Sequence, residues 1–322
     1  MLRTYAAALE ASFRAKGRGR PKLKRRKDSL PSLEYTVNGF SVRDGRLCLP
    51  KGISIPVVWS RELPPAPRSV RVYRDNLGHW YGSFVVTREV VPAAPATGGI
   101  GIDWGVKTPA TSTDPAYDFP YAGHRKRCAV QVARAQRKMS RRRRTRGGKL
   151  HGPQSRGYRQ AERQAARLLK KAARQNTHDG RVWAQRVVAG HDVIAVEDFK
   201  PKFLAKSDMA RKAADSTVGA LKRTLTGYGK RAGRKVVPVP PAYTTMTCSK
   251  CLARNKLPLK LAERTFRCEH CGYTADRDRN AARVILVQGE RILAGADDVR
   301  HPSLLPSGAA GGVPSEPEIP RL

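Results

Sequence analysis

Cys268-Glu-His-Cys-Gly-Tyr-Thr-Ala-Asp-Arg-Asp-Arg-Asn-Ala-Ala282 sets a CxxC knuckle directly against the acid-rich start of a helix. A second knuckle lies upstream, so the full pattern is Cys248-x2-Cys251-x16-Cys268-x2-Cys271. Each knuckle aims two thiolates at one point, and two knuckles complete a closed tetrahedral site, which predicts a structural zinc ribbon with no open position for chemistry. A thioredoxin-like redox role is disfavoured, because there are two CxxC pairs and no βαβ unit around either. His270, inside the second knuckle, reads as a spacer, and Cys48 and Cys128 as unpaired residues outside the cluster.

Outward from this module, two further segments end in carboxylates. Gly101-Ile-Asp-Trp-Gly105 is a short apolar run closed by an acid, and Asp192-Val-Ile-Ala-Val-Glu-Asp198 reads as a buried strand. A buried carboxylate without a partner is costly. Asp103, Glu197 and Asp278 therefore call for an explanation, and if their strand and helix ends converge, the cluster is stable only with divalent metal. Two Mg2+ ions ~3.5–4 Å apart would activate a water and stabilise the leaving oxygen of a phosphodiester. Taken singly, each acid could instead pair with one of the abundant lysines or arginines.

Charge gives the partner class. The 322 residues carry 63 Lys plus Arg against 26 Asp plus Glu, a net 63 − 26 = +37. Such a field argues against an ordinary metabolic enzyme and for a polyanionic partner. It is concentrated between Asp118 and Glu162, where 14 Lys and Arg occur without an acid. Arg134, Arg137, Lys138, Arg141, Arg142, Arg143, Arg144 and Arg146 have no aromatic residues among them, which suits phosphate contact better than base reading. Trp80, Tyr81, Trp104 and Trp183 read as core packing more than as stacking platforms. No run approaches the ~18 apolar residues of a membrane span, and the Arg-rich N-terminus contains Glu10 and no cleavage site, so membrane and organellar readings give way to a cytoplasmic one.

Between these landmarks, Tyr5, Leu9 and Phe13 predict a short N-terminal helix. Tyr35 to Val91 predicts an antiparallel β module, a small barrel, with turns at Asn38-Gly39, Asp44-Gly45 and Asp75 to Gly78. The segments 100–105, 110–113 and 117–121 predict a three-strand meander. Tyr158 to Val188 reads as a pair of helices broken near Asn176 to Gly180, Ser216 to Ala232 and Asp278 to Leu293 as helices, and Lys235 to Val239 as a strand. Strands alternating with helices give the α/β class.

Gly101-Ile-Asp-Trp-Gly-Val-Lys107, Val193-Ile-Ala-Val-Glu-Asp198 and Cys268 to Ala282 together resemble the three RuvC motifs of the TnpB (OrfB) family, transposon-encoded RNA-guided DNA endonucleases related to type V CRISPR effectors. The family places a zinc ribbon between the second and third motifs, as this sequence does. Tyr243-Thr-Thr-Met-Thr-Cys248 matches the family's lead-in, and Tyr35 to Phe40, Leu47 to Pro50 and Trp80 to Phe84 resemble its wedge barrel. The resemblance implies an RNase H-like fold, with Asp103, Glu197 and Asp278 as Mg2+-binding catalytic acids. Asp276 is then a bystander, Asp198 points to the opposite strand face, and Asn280 serves the metal shell or helix start, or only caps and packs.

The implied organisation is a short helix and basic linker at 1–33, a wedge-like barrel at 34–96, RuvC parts at 97–243 and 276–294 around a ribbon at 244–275, and a disordered tail at 295–322. Against the family pattern the chain starts about where a bundle of recognition helices ends, so most of that lobe is expected to be missing. Leu252 also replaces the Gly that often follows the first knuckle. The implied cofactors are Zn2+, Mg2+ and a guide RNA, and the implied target is DNA. Two other readings are a truncated nucleic-acid-binding regulator without nuclease activity, favoured by the missing lobe, and a DDE-type transposase, disfavoured by the ribbon immediately before the third acid.

Overall fold

The computed structural model describes residues 2–14, 19–22, 29–87, 92–96, 98–198, 217–260 and 263–295. The expected disordered tail, apart from Gly295, falls outside these residues, as does much of the basic linker. The predicted N-terminal helix is α1 (Leu2–Arg14).

Six strands form the β module: β1 (Ser32–Thr36), β2 (Ser41–Arg43), β3 (Arg46–Leu49), β4 (Ile53–Pro56), β5 (Ser69–Arg74) and β6 (Trp80–Val85). They pair as two three-stranded antiparallel sheets, β1-β5-β6 and β2-β3-β4, where the sequence predicts one small barrel. Phe84 joins the sheets, with ring centroids 6.1 Å from Phe40 and 5.4 Å from Trp59. Only Leu47 and Val70 are buried hydrophobics among its described residues, so the module leans on its neighbour. Asp75 makes an ion pair with Lys170, and the Tyr81 hydroxyl accepts from Lys170 at 3.1 Å and Arg174 at 3.0 Å.

The larger part is built on a four-stranded sheet of order β12-β11-β7-β8, formed by β7 (Gly99–Asp103), β8 (Thr111–Ser112), β11 (Val193–Glu197) and β12 (Lys235–Val239). The first three in that order run parallel and β8 antiparallel. The expected third meander strand is reduced to a single bridge, Ala110 to Phe119, because Pro115 to Tyr117 takes a tight helical turn capped by Asp114. Between β8 and β11 the chain forms α2 (His124–Arg142), a short hairpin of β9 (Thr145–Arg146) and β10 (Lys149–Leu150), and α3 (Arg156–Gly190). Gly147 and Gly148, both at positive φ, make the hairpin turn.

The predicted helix pair is one 35-residue helix, α3. The run Asn176 to Gly180 does not break it, because Gly180 faces Leu221 so closely that a Cβ there would lie 2.7 Å from Leu221 Cδ2. The glycine is a packing contact with α4 (Val218–Arg231), and its helix-propensity cost of about 1 kcal/mol is offset by burial on both sides.

Side chains alternate across the sheet. Ile100, Ile102, Ile194 and Val196 face α3 and α4 and share a core with Trp183, Val187, Leu221 and Leu225. The opposite face carries Gly99, Gly101 and Ala195, small residues that admit the last helix, α5 (Arg277–Leu293), at close range. Ala195 and Val239 pack there on Ile285. A ribbon hairpin, β13 (Thr265–Arg267) and β14 (Thr274–Asp276), leads directly into α5. Among the described residues no helix is long and apolar enough to cross a membrane.

Candidate metal and nucleic-acid sites

β7 and β11 are parallel neighbours in the register Ile102 to Val196, so their C-terminal residues, Asp103 and Glu197, finish side by side. Both project onto the face covered by α5, as do Gly101 and Ala195 two residues earlier. Asp278 stands in the first turn of α5, close enough for its charge to act on Asp103. Asp103 and Glu197 are 8% and 7% exposed, whereas the Asp278 side chain is 28% exposed. Asp198 points the other way, as expected, and pairs with Lys222 of α4 at 2.5 Å.

Electrostatics register the convergence. Burial pushes the Asp103 carboxyl well above its ordinary range, and the negative charges of Glu197 and Asp278 push it further, against Arg277 and the Trp104 amide. Burial pushes Glu197 up to about 7, opposed by Lys222 and the same Trp104 amide. The Trp104 amide thus favours the ionised form of both carboxylates, and the indole Nε1 of the same residue donates to the Glu197 carbonyl at 3.1 Å. Two buried acids that resist ionisation fit a divalent cation, which supplies the missing positive charge. Asp278 meets Arg264 of the ribbon at 3.3 Å.

α5 is held in place by polar contacts as well. Asp276 is its N-cap, accepting from the Arg279 N–H at 2.9 Å. Arg279 grips Asp118 with two bonds of 2.9 and 2.7 Å, and Asp118 accepts from the Ser112 amide at 2.8 Å. For Asn280 the sequence leaves two roles open, orienting and capping or packing. The residue is wholly buried, and both ends of its amide bond the first knuckle, from the Ser249 N–H at 2.9 Å and to the Thr247 carbonyl at 2.7 Å.

The four cysteine sulfurs lie within 4.8 Å of one another, the one such group among the described residues. Cys248 and Cys271 are 3.8 Å apart and Cys251 and Cys268 3.6 Å. A tetrahedron with Zn–S bonds of about 2.3 Å has edges of about 3.8 Å, so the spacing fits zinc. Amides of Lys250 and Cys271 point at Cys248 and Cys268, each at 3.4 Å. Burial acts to raise the Cys268 thiol, but the Cys271 and His270 amides and neighbouring thiols outweigh it and bring it down to about 7. Burial and the neighbouring thiols push Cys251 up to about 12, despite the Ala253 amide. One thiolate forms readily, while Cys248 and Cys251 resist until a cation arrives. The two knuckle turns match in their positive-φ residues, Leu252 (φ 61°) and Gly272 (φ 68°).

The basic tract is split by the fold. Arg134, Arg137, Lys138 and Arg141 line a groove of about 650 Å³ beside α2, together with Gln131, Ala135 and Gln164. Arg142 and Arg143 donate instead to the Gly157 and Gly148 carbonyls, both at 3.2 Å, and Gln154 bonds the Arg144 backbone. Arg146 lies on the hairpin, exposed. Sequence reasoning missed a second groove of about 740 Å³ on α3, lined by Arg156, Arg159, Arg163 and Arg167 at helical spacing. Gln164 belongs to both. The 3–4-residue repeat of arginine along α3 was the available signal. Trp104 and Trp183 are core residues, 6.1 Å apart by ring centroids, while Trp80 is exposed with Arg74 over its ring.

The family model described as Cas12f1-like, TNB domain, matches residues 219–285. A Streptomyces pristinaespiralis protein named as an RNA-guided DNA endonuclease is 32% identical over 97% of this chain and 77% of its own length. The Escherichia coli RNA-guided DNA endonuclease InsQ is 28% identical over 78% of this chain and 64% of its own. A solved Cas12f1–sgRNA–target DNA complex is similar at a TM-score of 0.46 and 16% identity, covering 80% of this chain and 59% of that one.

Proposed function

Because the chain belongs to the TnpB-like RNA-guided DNA endonuclease family, we propose that it is a transposon-associated, metal-dependent endonuclease that cuts DNA selected by a guide RNA. The observation that carries this reading is the pair Asp103 and Glu197 at the C-terminal ends of adjacent central strands, both buried and resistant to ionisation, with the charge of Asp278 reaching Asp103 from α5. In this proposal residues 97–243 and 276–294 form one RNase H-like nuclease body, 244–275 its zinc ribbon and 34–96 a wedge module.

Mg2+ bound at the trio would supply Lewis-acid activation of water and charge stabilisation at the scissile phosphate. The chain's own residues hold the geometry. Asp103 and Glu197 present carboxylates from fixed strand ends, and the Trp104 indole, donating to the Glu197 carbonyl, fixes the end of β11. Asp278 would hold the metal from α5, in place of its present bond to Arg264. Cys248, Cys251, Cys268 and Cys271 hold Zn2+ as a structural ion. The arginines of the two grooves contact phosphates, and base choice rests with the guide, as in other RNA-guided systems.

The test is cleavage of a matched plasmid by the purified chain with Mg2+ and RNA transcribed from the DNA flanking its gene. Cuts that depend on the RNA and disappear in Asp103→Ala support the proposal. Binding of RNA and DNA with no cleavage under any divalent ion would favour the regulator reading.

A further inference from the structure

The first turn of α5 is fastened to the ribbon from two sides. One fastening is Asn280, whose amide bonds Thr247 and Ser249 on either side of Cys248. The other is the backbone itself: β14 runs without a break into α5, and the Arg277 N–H donates to the Arg264 carbonyl of the hairpin at 2.7 Å. The first fastening belongs to the Cys248–Cys251 knuckle and the second to the Cys268–Cys271 knuckle. The knuckles meet at the four sulfurs and at Asn255, which donates to the Arg267 carbonyl at 2.7 Å and accepts from the Glu269 N–H at 3.1 Å. Asp278 lies between the two fastenings, two residues before Asn280.

We infer that Asn280 is a positioning residue that couples the cysteine site to Asp278, so that the ordered ribbon sets where this carboxylate stands relative to Asp103 and Glu197. A capping role does not account for it, since Asp276 already caps the helix. A packing role does not either, since both polar ends of the side chain are used on one knuckle. The inference rests on the zinc reading of the cysteines but not on nuclease activity. It makes zinc a determinant of the geometry of a separate carboxylate site, through a side chain that touches neither metal.

Hydrogen exchange on the full chain decides it, with Mg2+ absent and zinc content measured first. Stripping zinc with a chelator should speed exchange of the amides of residues 279–283 at least about 10-fold, together with the ribbon, while residues 284–289, which pack over the sheet, stay protected. In Asn280→Ala, residues 279–283 should exchange faster even with zinc bound. Zinc should also leave for a chromogenic chelator about 10-fold faster, the size of effect seen when residues supporting metal ligands are removed. Asn280→Asp, which keeps the acceptor for Ser249 and loses the donor to Thr247, should fall between. Unchanged exchange at 279–283 on stripping the unaltered chain would overturn the inference, and so would a normal zinc-release rate in Asn280→Ala. The first comparison needs no variant to fold. A purified chain that contains no zinc would instead defeat the zinc reading, and the inference with it.

Discussion

Gly101→Ala is the most informative single perturbation of the nuclease body. Gly101 lies under α5, and a Cβ there would run into the Ala282 carbonyl oxygen and sit 2.8 Å from Leu286 N and 2.9 Å from Leu286 Cβ. Two of these three atoms are helix backbone, so no rotamer change relieves the clash. Contact at an ordinary ~3.5 Å requires α5 to retreat by ~0.7 Å to clear Leu286 N and by more than ~1 Å to clear the Ala282 oxygen. Overpacking of this kind costs about 1–3 kcal/mol. The retreat carries Asp278 away from Asp103 and Glu197, and a displacement near 1 Å costs on the order of 100-fold in rate. Gly101→Ala should therefore lower the melting temperature by several degrees and cleavage by about two orders of magnitude. Gly227→Ala is the control: Gly227 lies in α4 with nothing within 4 Å of the added carbon, so this change should stabilise by about 0.5–1 kcal/mol and leave cleavage unaltered. Equal stability and equal cleavage for Gly101→Ala and the unaltered chain would refute the close approach of α5.

Glu197 holds its proton up to about 7, above the ordinary 4.5, so without Mg2+ its contribution to stability is present below pH 4.5 and lost as pH rises through 7. The loss amounts to about 3 kcal/mol at most; Glu197→Gln should escape it and melt higher than the unaltered chain at pH 8 without Mg2+, with no such advantage at pH 4.5. At Leu252 the left-handed backbone costs a branched side chain about 1 kcal/mol, so Leu252→Gly should stabilise the ribbon and slow zinc loss, read by chelator competition. Arg163→Ala should reduce the slope of log affinity against log salt for nucleic acid by about 1. Arg142→Ala, which loses the bond to the Gly157 carbonyl, should lower the melting temperature as well.

The strands and the acids at their ends were legible because burial imposes an alternating pattern that survives in one dimension. Ile194 and Val196 announce one face, and Ala195 and Glu197 necessarily take the other. The knuckles were legible because thiolate geometry fixes their spacing. Long-range placement was not. Asn176 to Gly180 carries the local signature of a break, yet Leu221 turns Gly180 into a contact inside one long helix. The groove arginines of α3 gain meaning only beside α2, with Gln164 common to both grooves. Trp104 and Asn280 act through hydrogen bonds to residues 93 and 31–33 positions away, which no local pattern encodes. The strands and turns of the β module are local features and legible, whereas the way six strands divide into two sheets is not.

Cleavage by three isosteric variants, Asp103→Asn, Glu197→Gln and Asp278→Asn, tests the central claim most directly. Each is to be compared with the unaltered chain at equal zinc content, with Mg2+, RNA and matched DNA. The shared carboxylate site predicts that every one of the three loses at least about 1,000-fold in cleavage rate while retaining RNA binding. Near-normal cutting by any of them, Asp278→Asn above all, would contradict it.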